Sequence, residues 1–183
     1  MDVRRVVTGH DERGKAVFVS DEGVAPITAT LTPGFRFHRL WGGNEAPRFP
    51  DAGRMPLFRT YFPPVGGFRV WLFTLPPGGS GVPQVPDMTA ALLEFEERLP
   101  GLAQYMEPDN SGMHTTPTVD FELIVSGTVT LELDDGAAVT LKPGDTVVQN
   151  GTRHRWRNHG AVPATVVVFI CGAHHAKLPV QEG

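Results

Sequence analysis

The sequence predicts an all-β fold, a sandwich or barrel of short strands carrying one helix. Three observations carry this expectation. From Met113 onward, strand-like runs and turn signals alternate at a spacing of roughly 8–12 residues. The 21 glycines and 17 prolines lie between apolar runs and not in one tract, as many tight turns require. Only one segment repeats its apolar residues at helical spacing, which argues against the alternating strands and helices of a parallel α/β sheet.

Taken in order, Arg4–Val7 and Ala16–Ser20 read as strands joined by the polar turn His10–Gly14, an opening hairpin. Phe35–Trp41 alternates, with Phe35, Phe37 and Trp41 expected on one face. Residues Asn44–Pro56 hold three prolines and read as a loop. Phe68–Leu75 is a strongly apolar strand ended by Pro76-Pro77-Gly78-Gly79. The helix starts at Asp87, which can cap it, and repeats Met88, Leu92, Phe95 and Leu99 before Pro100-Gly101 stops it. Glu94, Glu96, Glu97 and Arg98 form its polar face. That stripe is expected to pack on the barrel, with the segment Asp87–Met106 over its mouth. Strands then follow at Phe121–Val125, Val129–Leu133, Val139–Leu141, Thr146–Gln149, His154–Asn158 and Thr165–Ile170. Turns sit at Ser126-Gly127 and at Asp134-Asp135-Gly136, a hairpin signal. No internal repeat or linker divides the chain, so it reads as one domain over 1–183. N-terminal strands occupy 1–79, a helical insertion 80–112 and the core 113–171.

Composition narrows the function. A chain of 183 residues with 40% apolar and 20% charged residues is ordinary for a globular domain. Its formal net charge of −4 offers no basic footprint for nucleic acid. The single cysteine, Cys171, excludes an internal disulfide, suits a reducing compartment and reads as a small buried thiol. The opening residues lack the apolar stretch of a signal peptide, and no apolar run approaches the roughly 20 residues that span a bilayer. The expectation is a cytoplasmic protein acting on a small molecule, without nucleic acid or membrane.

The chemistry concentrates in Gly144–Asn158. Strand alternation puts His154, Trp156 and Asn158 on one face and Arg153, Arg155 and Arg157 on the other. Three cations so spaced can sit in water, which turns the imidazole and indole inward. A second cluster spans Met113–Gly127, where Asp120 and Glu122 are two residues apart and share a face. If that face is interior, Glu122 is a pocket carboxylate with a raised pKa, fit for general acid or base work. The alternative is a rim glutamate in water. Trp156 can wall a planar substrate or fill the barrel. Gln149 can bond a substrate oxygen or close the turn before Gly151. Asn158 fits a turn-securing role. His10, His38, His159, His174 and His175 read as surface histidines.

Together these two segments resemble the paired motifs of the cupin superfamily. The first motif there reads His-x-His, three or four residues, Glu, six residues, Gly; it aligns His114, Asp120 and Gly127, with Thr116 at the second histidine. The second aligns Gly144, Gly151, His154 and Asn158, is one residue shorter than usual and has Gln149 at a proline position. The pattern is similar to a subgroup of small single-domain cupins, M-H-x-T-x-T-[IV]-D and V-V-Q-x-G-T-x-H-x-W-x-N. Its members occur in bacteria and in fungal polyketide clusters, often labelled cupin-domain oxidoreductases. The resemblance extends to the opening Arg4–His10 and to Leu99–Leu102.

The resemblance implies a jelly roll-like double-stranded β-helix with N-terminal strand additions and one inserted helix. It also implies a homodimer through N-terminal strands, to which an exposed Phe35/Phe37/Trp41 face would contribute. It leaves His114, Asp120 and His154 as ligands of a divalent metal (Fe, Mn, Ni or Zn). Two imidazoles and a carboxylate resemble the ligand set of non-haem Fe(II) oxygenases. Asp120 equally fits a hydrogen-bonding role beside His114 or at a strand end. Three functions follow. The first is a dioxygenase-like oxidoreductase acting on an oxygen-rich, aromatic or polyketide-derived substrate. The second is a metal-dependent lyase (decarboxylase, dehydratase or isomerase). The third is a barrel that binds a small ligand without turnover. Glu122, Asp120 and His114 are the expected catalytic groups, and Trp156, Gln149 and Thr116 the expected substrate contacts; acid/base catalysis without metal uses the same carboxyls.

Overall fold

Ten strands and one helix build the chain in a computed structural model that describes residues 2–78, 85–109 and 111–178. The strands are β1 (Arg4–His10), β2 (Ala16–Gly23), β3 (Arg36–Gly43), β4 (Phe68–Leu75), β5 (Thr118–Ser126), β6 (Val129–Glu132), β7 (Ala138–Leu141), β8 (Thr146–Asn150), β9 (Arg155–Arg157) and β10 (Ala164–Gly172); helix α1 spans Met88–Arg98. A five-stranded sheet runs β3-β4-β10-β5-β8, and a three-stranded sheet runs β7-β6-β9. All their pairings are antiparallel. β1 and β2 form a hairpin of their own. Gly79, the last residue of the expected stop after β4, and the start of the 80–112 segment lie outside the described residues.

The two sheets close on an apolar core. Leu75, Ile124 and Val166 from the larger sheet pack with Val129, Leu131 and Leu141 from the smaller one. A second cluster joins Trp71, Val168 and Ile170 to Tyr61, Phe62, Phe95 and Leu99, so α1 and the irregular 57–65 segment seal that end. Two motif glycines take conformations other residues resist. Gly127 ends β5 at φ +73° and Gly151 follows β8 at φ +57°, both left-handed.

Two expected faces differ from the structure. Phe37 is buried in the core, and Phe35 stacks on it with ring centroids 6.1 Å apart. A shift of register between Arg39 and Trp41 breaks the two-residue period, so Trp41 lines a separate cleft beside β1. The Phe35/Phe37/Trp41 face is therefore not an exposed dimer surface. In α1 the buried residues are Ala91 and Phe95, followed by Leu99 just past the helix, while Met88 and Leu92 are exposed. The inward face is centred on small Ala91, which lets the helix approach the Trp71 cluster closely. Asp87 does cap α1, accepting a hydrogen bond from the Ala90 N–H at 3.0 Å. Among the described residues, no helix is long and apolar enough to cross a membrane.

Glycine replacements separate backbone strain from packing. A Cβ on Gly127 would meet Ala164 Cα at 2.6 Å and Pro163 O at 2.7 Å, whereas one on Gly136, at φ +75°, would meet nothing within 4 Å. Both pay the left-handed cost of about 1–2 kcal/mol. Gly136→Ala is expected to lose about that much, and Gly127→Ala at least twice as much. Urea unfolding of both variants measures the difference; equal losses would show that the Gly127 contact relaxes freely.

Candidate functional site

Strand period places the carboxyls inside. On β5, Thr118, Asp120, Glu122 and Ile124 are buried, while Val119, Phe121, Leu123 and Val125 face outward. Asp120 and Glu122 line a cavity of about 370 Å³, within the size range of small-molecule sites. The same wall carries His114, His154, Trp156, Arg157, Tyr61, Phe37 and Phe95. Part of it comes from the segment after α1, through Leu102, Met106 and Gly112.

The carboxyls are held with little compensation. Asp120 Oδ1 and Glu122 Oε2 are buried without a hydrogen-bond partner. Burial is the first cause that lifts Asp120 to about 7, opposed by a hydrogen bond from Thr118. Burial, then the charge of Asp120, lifts Glu122 to about 8. Near neutral pH the pair therefore keeps a proton, and the two groups titrate together.

The imidazoles are neutral. His114 and His154 exchange backbone hydrogen bonds of 2.9 Å in both directions, which sets their rings 4.1 Å apart. His114 Nδ1 lies 3.1 Å from Gly112 O, and His154 Nδ1 lies 2.8 Å from Thr152 O. A carbonyl can only accept, so each Nδ1 carries the proton and each Nε2 keeps its lone pair. Burial lowers both pKa values; His154, with the charge of His114 as the second cause, falls to about 3.

Tyr61 is the residue that sequence reasoning missed. It stacks on Trp71 with centroids 4.5 Å apart and meets Phe37 and Phe62 edge-on. Burial, then the charges of Asp120 and Glu122, raise its pKa, so its hydroxyl stays protonated. It lies in irregular chain outside the named strands, where no periodic pattern marks an inward position.

Other expected residues fall elsewhere. Thr116 is buried, but its hydroxyl pairs with Thr118 Oγ1 at 2.8 Å and it is not on the cavity wall. Gln149 closes the turn before His154 by donating to Thr152 O at 3.1 Å, and it too is off the wall. Neither lines the cavity, and the Thr116 hydroxyl and the Gln149 amide nitrogen are engaged by Thr118 and Thr152. Asn158 secures the following loop, donating to Val162 O at 2.8 Å and accepting from Gly160 N. His38 is not a surface histidine: it is buried, its Nδ1 has no partner, and burial lowers its pKa. Arg153 and Arg155 are half-buried in ion pairs, and Arg157 is on the cavity wall and not in open water.

The donor chemistry for a metal is present, but the spacing is not. Among the described residues, no three His, Cys, Asp or Glu side chains stand close enough together to hold one ion. The two imidazoles are paired; a carboxylate does not join them at ligand distance. As positioned, His114, Asp120 and His154 do not fit a three-ligand site.

Comparison with known proteins identifies the part of the chain that carries both histidines and both carboxyls. Residues 103–170 match the family model described as Cupin domain. These residues form a cupin domain. Over 170 residues, 91% of this chain and 76% of the relative, the chain is 29% identical to phomopsin biosynthesis cluster protein D of Diaporthe leptostromiformis. It is 26% identical to phomopsin biosynthesis cluster protein C' of the same fungus, over 91% of this chain and 76% of that one. A third relative, 26% identical over 92% of this chain and 71% of its own length, is the cupin-domain-containing oxidoreductase fogC of Aspergillus ruber.

The buried pairs set a stability profile. Unfolded carboxyls lose their protons near pH 4, but the folded ones hold them to about 7 and about 8, so stability falls as pH rises across that window. The histidines act oppositely: unfolded they protonate below about 6.5, folded they stay neutral, so stability falls as pH drops below that value. Between about 6.5 and 8 only the carboxyls act. Urea midpoints are expected to fall over that range, and to flatten in the Asp120→Asn/Glu122→Gln double variant. An equal decline in the variant would move the effect to other groups.

Proposed function

We propose that this cupin chain is a small-molecule enzyme that moves protons on a planar, oxygen-bearing substrate, in the manner of an isomerase or dehydratase. One observation carries the reading: two carboxyls lie two residues apart on one strand face inside an aromatic cavity, each with an oxygen that no protein group satisfies. Such oxygens are costly to bury and are the natural contacts for a bound molecule.

The roles follow from the order of the two pKa values. Asp120, the more acidic, is the base that takes a proton from the carbon beside a carbonyl. Glu122, the less acidic, is the acid that delivers a proton to the carbonyl oxygen. The Tyr61 hydroxyl donates to that same oxygen as its charge grows. The product is the enol; where a C=C is conjugated with it, Asp120 returns its proton to the far carbon while the enol O–H gives its proton back to Glu122, which moves the double bond without any further reactant. The neutral Nε2 atoms of His114 and His154 accept hydrogen bonds from substrate hydroxyls. Tyr61, Trp156, Phe37 and Phe95 exclude water and favour a flat substrate. The relatives named for biosynthetic clusters support small-molecule chemistry.

A second reading is a metal-dependent oxidoreductase, favoured by the name of the Aspergillus relative and by the two unprotonated Nε2 atoms. It requires a third donor brought to the imidazole pair, a spacing that the described side chains do not have.

The test is deuterium uptake at the α-carbon of a panel of aryl and alkyl ketones in D2O, followed by NMR. Asp120→Asn and Glu122→Gln are expected to slow exchange by about 100-fold or more while the fold is retained. A chelator should leave the wild-type rate unchanged. Stoichiometric Fe, Mn, Ni or Zn in untagged protein, lost in His154→Ala together with activity, would replace this reading by the second.

A further inference from the structure

The three arginines around β9 are not equivalent. Arg153 pairs with Glu107 at 2.5 Å and Asp134 at 2.9 Å, and Arg155 pairs with Glu132 at 2.5 Å. Arg157 has no carboxylate partner among the described residues; its one hydrogen bond goes to Ser111 O at 2.9 Å. A guanidinium offers five N–H donors, so most of this fork is unused. Arg157 is also the one Arg or Lys on the cavity wall among the described residues. It does not neutralise the buried acids, whose orphaned oxygens lack any partner. A half-buried cation that shares an apolar cavity with unsatisfied carboxyls, yet does not bond them, leaves room for a molecule between the two.

We infer that Arg157 is the anchor for a carboxylate on the substrate, and that the substrate is an organic acid with a flat apolar body. Its carboxylate meets the Arg157 fork bidentately, a geometry that guanidinium favours over ammonium. Its body lies against Trp156 and Tyr61, and its other end reaches the Asp120/Glu122 pair. This deepens the proton-transfer reading and rests on it for the reacting end, but the anchor itself is a binding property. It also resolves an electrostatic difficulty, because an anion entering a cavity that holds a carboxyl pair needs a cation placed away from that pair.

Equilibrium binding of 2-naphthoate and its neutral isostere 2-naphthamide to the full chain, by titration calorimetry, tests this. Naphthoate is expected to bind at least tenfold more tightly than the amide. Arg157→Gln should remove that preference while leaving amide affinity unchanged, and Arg157→Lys should restore part of it. Arg4→Gln, which breaks the exposed pair with Asp21 in the β1–β2 hairpin, should keep the preference. Equal affinities in the wild type, binding of neither probe, or a preference that survives in Arg157→Gln would overturn the assignment. Glu122→Gln separates the two proposals. A preference that survives in Arg157→Gln while Glu122→Gln slows exchange refutes the anchor alone, whereas a preference lost in Arg157→Gln with exchange unaffected by Glu122→Gln refutes the proton-transfer reading alone.

Discussion

Burial of two carboxyls on one strand is the constraint from which the rest of the site follows. β5 is paired on both sides, with β10 and β8, so its pleat cannot rotate to release either group to water. A one-residue slip would exchange Asp120 and Glu122 for Val119, Phe121 and Leu123, which now face outward. The register is therefore held by Ile124 and Thr118 on the same inner row, at either end of the carboxyl pair. The penalty of desolvation is met by keeping protons, and a group forced to keep a proton at neutral pH is a group able to transfer one.

The histidine part of the cavity lining depends on polar clamps and not on sheet pairing alone. His114 and His154 meet across an isolated bridge, outside the regular ladders. Arg153 ties Glu107, in the segment after α1, to Asp134 beyond β6, and Arg155 and Arg157 both donate to Ser111 O. Partly exposed ion pairs contribute little stability one by one. Here their effect is positional: they hold Glu107 and Ser111 against β9, next to Met106, Gly112 and His114 of the cavity lining. The arginines at alternate positions that read as a solvated row in the sequence are in fact bonded to Glu107, Asp134, Glu132 and the Ser111 carbonyl.

How much of this was legible follows from where periodicity operates. The barrel, the inward pointing of Asp120, Glu122, His154 and Trp156, and the glycine positions Gly127 and Gly151 all follow from a two-residue period and from turns that need φ above zero. Thr116 and Gln149 are buried but lie off the cavity wall, because alternation gives direction and not the partner waiting there. The helix face failed for a related reason: Met88 and Leu92 fit the spacing, but the packing partner selected the row through Ala91. His38 was passed over because a single histidine in an alternating run carries no signal of burial. The spacing of three donors around one point depends on side-chain reach across strands, which no one-dimensional count supplies.

Tyr61 required a different kind of information, since its position is set by an arginine far from the motifs. The backbone around it belongs to no strand, and its carbonyls would lack partners without help. Arg69 is fully buried and supplies that help, donating to Thr60 O at 3.0 Å, Gly43 O at 2.8 Å and Asn44 Oδ1 at 2.8 Å, with its guanidinium 4.1 Å from the Phe58 ring centroid. Burial, then the nearby charge of Arg39, brings its pKa down to about 10, still well above neutral, so the cation persists. Trp71 Nε1 donates to Tyr61 O at 3.3 Å, and Tyr61 N donates to Pro100 O at 2.8 Å. A charged donor network thus does for residues 58–62 what a ladder of strand hydrogen bonds does elsewhere. The phenol is thereby held by irregular chain on the lining of the cavity that β5 supplies with its carboxyls.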